Sequence, residues 1–438
     1  MLLPVIPAIH LAYRIAMAEY PVRTYGDLES YNRAVRLDPA NGEYWWMRGR
    51  FRHFDPASID LKDAIADYEH ALELNPRLGT AWLDLADAYE RNGQGKKAEA
   101  AIQNALCVHT YSPSARWQAG NFYLLRGNLL KMYECFKMAG EYDPEKLRSA
   151  LQLVWKVDPD RSRIETQLIP QNLPSCLIYL NFLVERDELD LAKGAWERCI
   201  QMPIPERFQY TASHVFPLID HMLSGNRVKE AFQVWQQALQ KGKERLIDNR
   251  AIYDPRESSG LPGRDVINLV WNGSYEKEML NGGFDWRYYE IPEVELQTDQ
   301  SAHHDGSKSL RLDFAPNNIG YSHLYQIVPI PASGMYRLEY YAKTEALTSD
   351  QRPYFAIYAY PENAPPLLQT EMLPASSSWE KHTAEFNIKP GTDAVLLKLL
   401  RDVSTKLGNQ IQGSLWLDQI SIRAQMQGMV STEDTRKP

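Results

Sequence analysis

Over the first 240 residues, apolar side chains return every three or four positions, the period of helices with one buried face. A longer period lies on top of this one. Leu85, Ala86, Tyr89, Ala98, Ile102 and Ala105 are followed 34 residues later by Ala119, Gly120, Tyr123, Met132, Phe136 and Ala139. Trp82 breaks the register, because Arg116 stands opposite it and Trp117 is one place late. Ala64, Tyr68, Ala71 and Pro76 form the second half of the preceding unit, and Tyr31, Ala34 and Pro39 that of an earlier one. The loop at 55–60 is lengthened. The triplets LDP at 37–39, LNP at 74–76 and YDP at 142–144 recur at unit ends, where Pro stops a helix. Small residues let paired helices approach closely, and the aromatics fill the gaps between units. The pattern predicts a stack of about six helical hairpins over 1–245. It loosens over 147–157 and returns at Tyr179, Leu183, Ala192, Trp196 and Cys199, then at Leu218, Met222, Ala231, Trp235 and Ala238. A longer loop at 203–209 separates these last two units.

From 246 to 265 the helical period fades into a stretch rich in Pro, Gly and Ser, a linker. Beyond it the period becomes two. Leu310, Leu312 and Phe314 alternate inward, as do Tyr336, Leu338 and Tyr340. Phe355 and Ile357 share one face of their strand, with Tyr354, Tyr358 and Tyr360 on the other. Further strands are expected near 266–271, 323–329, 379–388, 394–400 and 415–422. Eight strands with no helix between them predict an antiparallel β-sandwich of jelly-roll type over 266–425. Residues 426–438 read as a disordered tail. The fold class is an α-solenoid followed by a β-sandwich.

Composition narrows the function. The 438 residues carry 48 Lys+Arg and 56 Asp+Glu, a net charge of -8. Residues 1–250 are close to neutral, so most of the acidic excess lies in the linker and sandwich. Neither half of the chain is basic enough to neutralise a phosphate backbone, which tells against nucleic acid as a partner. The apolar run at 1–18 is interrupted by Pro4, Pro7, His10 and Arg14, so it is too short for a membrane span and reads as a first helix. A signal anchor truncated upstream is the other reading of that stretch. Cys107, Cys135, Cys176 and Cys199 have no C-x-x-C spacing and read as small buried hydrophobes. GQGKK at 93–97 lacks the spacing of a phosphate-binding loop and falls at a helix–helix turn. Catalytic signatures are missing: HHD at 303–305 reads as a solvated turn, and Glu276 and Glu278 as loop carboxylates. The expected protein is non-catalytic.

The 34-residue motif, with its aromatic, small-residue and Pro positions, resembles the tetratricopeptide repeat family over about 26–146. That resemblance implies a protein or peptide partner on the concave face of the solenoid. LNGGFDW at 280–286, HDGSKSLRLDF at 304–314, YQIVPIPASGMYRLEYYAK at 325–343 and GSLWLDQISI at 413–422 resemble, in order, the landmarks of jelly-roll carbohydrate-binding modules with a galactose-binding-like fold. Such modules often hold one structural Ca²⁺. Asp285 and Asp418 match the family's acidic positions, and Asp305 lies in the neighbouring turn. The alternative for these carboxylates is hydrogen bonding to backbone N–H groups. Aromatic platforms for a sugar are expected at Trp286, Tyr288 and Tyr289 and at Tyr354, Tyr358 and Tyr360; packing alone also favours aromatics in strands.

Together the two resemblances imply a protein-interaction scaffold with a polysaccharide-binding module, in cell-envelope or periplasmic polysaccharide assembly or export; a cytoplasmic place stays open. Two other readings remain: a pure scaffold whose sandwich binds nothing, and an accessory subunit that targets a glycan-active enzyme. No cofactor is required, calcium being the one candidate.

Overall fold

The computed structural model describes residues 5–57, 59–243 and 267–425. The expected linker at 246–265 and the expected tail at 426–438 lie outside the described residues. The chain forms two compact units, Met1–Phe182 and Leu183–Pro438. The division falls earlier than the change of hydrophobic period, so the last helices cluster with the sheets.

The first unit is a run of helical hairpins: α1 (Val5–Thr24), α2 (Leu28–Leu37), α3 (Gly42–Phe54), α4 (Leu61–Leu74), α5 (Gly79–Arg91), α6 (Gly95–Val108), α7 (Pro113–Leu125), α8 (Leu129–Tyr142), α9 (Pro144–Val157), and the single turn α10 (Arg161–Arg163), which runs on into a π turn at Ile164–Leu168. The starts of α5 and α7 are 34 residues apart, as are those of α6 and α8. Helix starts are set by side-chain caps. Asp27, Asn41, Asp60, Ser112, Asn128 and Asp143 each accept an N–H from the first turn of their helix. The recurring triplets end helices in one way: the N–H groups of Asp38, Asn75 and Asp143 return to the carbonyls of Ala34, Ala71 and Ala139. Ala64, Tyr68, Ala71, Ala98, Ala105, Phe136 and Ala139 are fully buried between the helices. GQGKK is the turn from α5 into the first residues of α6.

Helix α11 (Leu173–Val184) carries the chain across the division. The second unit continues with α12 (Leu189–Cys199), α13 (Phe216–Ser224) and α14 (Val228–Lys243). Among the described residues ten strands follow: β1 (Arg287–Tyr288), β2 (Val294–Asp299), β3 (Ser309–Asn317), β4 (Tyr321–Pro329), β5 (Gly334–Glu345), β6 (Tyr354–Ala359), β7 (Leu368–Gln369), β8 (Ser377–Ile388), β9 (Ala394–Arg401) and β10 (Ile411–Ala424). They form two antiparallel five-stranded sheets, β1-β4-β9-β6-β7 (sheet one) and β2-β3-β10-β5-β8 (sheet two). Their inner faces meet in one core that includes Leu310, Leu312, Phe314, Leu338, Tyr340, Phe355, Ile357, Leu397 and Leu417. The expected strand at 266–271 is absent among the described residues. That stretch runs irregularly and is held by the Leu269 N–H on the Ile422 carbonyl.

Helices α13 and α14 pack on the sandwich. Phe216 and Trp235 lie over the backbone at Gly282 and Gly283, and Trp235 meets Trp271 edge-on at 5.6 Å. Gly283 is required there: its φ is +58° and a Cβ would stand 2.5 Å from the Trp235 ring. The cysteines are not uniformly small buried hydrophobes. Cys107 is exposed and Cys135 buried, both as free thiols, while Cys176 and Cys199 each carry a disulfide bond.

Candidate functional site

Strand parity turns one set of sheet-one side chains into the core and the other outward. The outward set forms a row across four strands, because Arg287 pairs with Tyr325, Tyr325 with Lys398, and Lys398 with Ala356. The adjacent row holds Ile327, Leu396 and Tyr358. The Tyr289 ring, 64% exposed, stacks at 6.4 Å on Tyr325. Lys398 lies 5.5 Å from the Tyr358 ring and is paired with Glu362. Arg287 is paired with Asp220 of α13 and donates to the Gly283 carbonyl at 2.8 Å. The Tyr360 hydroxyl donates to the Leu223 carbonyl, also on α13, at 3.0 Å. A cleft of about 440 Å³ opens between these groups, lined by Ser224, Arg287, Tyr325, Ile327, Tyr360 and Lys398 among others. Burial and the contact with Tyr289 push the Tyr325 phenol up to about 12, so it remains a neutral donor at physiological pH.

The six aromatics expected as platforms part company here. Tyr289, Tyr358 and Tyr360 reach the outward face of sheet one. Trp286 is fully buried in the sandwich core, where its indole donates to the Asn272 carbonyl, so it presents no ring face to a ligand. Tyr288 packs against the same core. Tyr354 is 6% exposed and spends its hydroxyl on Asp402 at 2.9 Å. Tyr325, Arg287 and Lys398 are the residues that sequence reading passed over. The signal was available in YSHLYQIVP, where Leu324 and Val328 point inward and therefore Tyr325 points outward. The contribution of α13 had no sequence signal.

Asp285 and Asp418 are both buried. Asp285 accepts N–H groups from Leu280 at 2.8 Å and Trp286 at 2.7 Å. Asp418 accepts those of His304 at 2.9 Å, Asp305 at 3.1 Å and Gln419 at 2.7 Å. Asp305 is exposed and accepts the Gly306 N–H at 2.9 Å. The Tyr275 hydroxyl is buried without a partner among the described residues, and both buried carboxylates act on it. Among the described residues no cluster of three or more His, Cys, Asp or Glu is arranged to hold a metal. Asp305 meets Asp418 through its N–H and not through its carboxylate, and the two buried carboxylates meet N–H dipoles, which oppose a cation. They do not fit a calcium cage of side-chain oxygens. Burial raises Asp285 to about 7 and raises Asp418 as well.

Glu276 is not a free loop carboxylate. It accepts the N–H groups of Ser307 at 2.8 Å and Lys308 at 3.1 Å, and the Ser307 hydroxyl at 2.5 Å, and so holds the turn of HDGSK. In that turn the His304 ring stacks on Tyr341 at 3.5 Å.

Residues 57–129 match the family model of the tetratricopeptide repeat, so the helical hairpins there are repeats of that kind. No curated protein matches the chain. Solved structures similar in fold include the following. MamA is 15% identical, with 56% of this chain and 98% of that one covered and a TM-score of 0.27. TmCBM61, solved with β-1,4-galactotriose, is 18% identical over 36% of this chain and 99% of its own, with a TM-score of 0.26. A family 16 carbohydrate-binding module is 18% identical, over 35% and 99%, with a TM-score of 0.26.

Among the described residues no helix is long and apolar enough to cross a membrane.

Proposed function

We propose that this is a non-catalytic interaction protein whose helical repeats hold a protein partner and whose sheet-one face holds a glycan. The observation that supports the glycan part is the set of outward tyrosines Tyr289, Tyr325 and Tyr358, spread over three successive rows of sheet one. Pyranose rings offer apolar C–H faces that stack on such rings, while hydroxyl and charged groups nearby bond the sugar oxygens. Arg287 and Lys398 are each already paired with a carboxylate, so the face carries little net charge and suits a neutral sugar. The repeat match at 57–129 supports the protein part. By resemblance to cell-envelope proteins that join such parts, we extend the proposal to polysaccharide assembly or export.

The test is a glycan array probed with the full chain, with Tyr325→Ala beside it. Binding that Tyr325→Ala abolishes supports the reading. Tyr360 favours a second reading, since its hydroxyl is held by α13 and so joins the sandwich to a helix. That reading is a pure scaffold, and an array without a hit selects it.

A further inference from the structure

We propose that the sheet-one cleft is a composite site, closed at one end by α13, and that it receives the terminal residue of a neutral glycan rather than an interior segment. This rests on the glycan reading above and adds to it a wall and a direction. Helix α13 is tied to both sides of the sheet. Asp220 pairs with Arg287 on β1, and the Leu223 carbonyl takes the Tyr360 hydroxyl just beyond β6. Between these ties lie Ile327 and Leu396, which point outward yet are only 5% and 6% exposed, and Leu223 lines the cleft with them. One row further on, Tyr325 is half-buried, and beyond it Tyr289 is open. The face is therefore covered at the helix end and open at the Tyr289 end.

A polysaccharide laid along the strands would run into α13. A chain end would stop against it, with its last ring on Tyr325 and its hydroxyls within reach of Ser224 and Ser322. The cleft volume of about 440 Å³ lies in the lower part of the range typical of small-ligand sites and fits a short segment. The helix thereby makes specificity a property of the helical hairpin as well as of the sandwich.

The experiment titrates the full chain, by calorimetry, with trisaccharides of β-1,4-linked galactose, glucose and xylose and with the corresponding polymers. Ser224 is exposed at the end of α13, so Ser224→Trp fills the cleft from the helix side. The expected result is a loss of roughly tenfold or more in affinity for the bound sugar, with the far-UV spectrum and Tm unchanged. Should Ser224→Trp unfold, Ser224→Gln carries the same test. Stoichiometry on the polymer should follow the number of chain ends at constant mass. If Ser224→Trp binds as the parent does while Tyr325→Ala does not bind, α13 takes no part and only the glycan reading survives. Stoichiometry that follows polymer mass overturns end recognition. A parent chain that binds none of the sugars removes the glycan reading and this inference with it.

Discussion

Gly120 has no room for one more carbon. A Cβ there would lie 2.3 Å from the Phe136 ring, and at Gly49, the same position two units earlier, 2.8 Å from Tyr68. The intervening unit has Ala86 and Ile102 at these two positions, both buried. These three units thus pair a glycine with an aromatic, or an alanine with an aliphatic, at roughly constant volume. Gly120→Ala gains about 1 kcal/mol of helix propensity but overpacks a rigid ring, which costs about 1–3 kcal/mol. The expected net loss is seen as a lowered denaturation midpoint. Gly120→Ala with Phe136→Ile should recover most of it, and a double variant no more stable than the single one would refute the pairing.

Asp285 carries a second prediction at this scale. Its carboxyl is raised to about 7 by burial, so between pH 4 and 7 the folded chain holds a proton that the unfolded chain has released. Its contribution to stability is full below about pH 4 and is lost as pH rises through about 7. The slope reaches about 1.4 kcal/mol per pH unit at most. Asp285→Asn, neutral throughout, should flatten the fall in unfolding free energy over this window. Glu230, lowered to about 2 by its bonds with Arg227 and Lys193, acts in the opposite sense and at lower pH: its contribution is present above about 4.5 and lost as pH falls towards 2. The N–H donors around Asp285 and Asp418 also predict that a calcium chelator leaves Tm unchanged. A chelator-dependent fall would place an ion there.

Among the elements, the repeat was legible because its spacing is imposed by packing. Its one exception explains itself in the hydrogen bonds. Trp45 and Trp82 each donate from the indole to the carbonyl six residues back, Pro39 and Pro76, at 2.9 Å. Arg116 stands where the third Trp would be, and its guanidinium donates to the Thr110 carbonyl, again six residues back, at 3.2 Å. The donor is kept while the ring is lost, which a search for aromatics cannot see. In the sandwich, strand parity made Leu310, Leu312, Phe355 and Ile357 readable as core. Trp286 was misread as a platform because burial depends on which strands cover it, and that is a long-range fact. The same holds for α13 over Ile327. Gly283 tests this packing. At a φ of +58° and with Trp235 2.5 Å from a Cβ, Gly283→Ala should destabilise the junction by about 1–3 kcal/mol. Faster proteolysis near α14, with the sheets protected, would be the local sign. Unchanged Tm and cleavage would show that the hairpin yields without cost.

For the whole molecule, the position of the division between compact units makes the sharpest claim. A boundary drawn from hydrophobic period would cut the chain near 265 and treat the sandwich as a domain by itself. The contacts argue otherwise. Phe284 is 2% exposed because Phe232 and Trp235 lie against it, at 5.2 and 6.4 Å. Lys229 pairs with Asp393 at 2.9 Å, and Tyr360 reaches α13. Removing α13 and α14 would expose Phe284 together with the backbone at Gly282 and Gly283, and would leave Arg287 without Asp220. Uncovering aromatic surface of this size costs several kcal/mol, hence roughly 5–15 °C in Tm for a fragment of this length. A fragment of residues 183–425 should therefore unfold in one cooperative transition with near-UV signals from fixed aromatics. A fragment of residues 267–425 should melt lower and expose apolar surface to a hydrophobic dye. Equal melting of the two would mean that the helices merely rest on the sandwich; α13 would then be no fixed wall of the cleft, and glycan recognition would belong to the sheets alone.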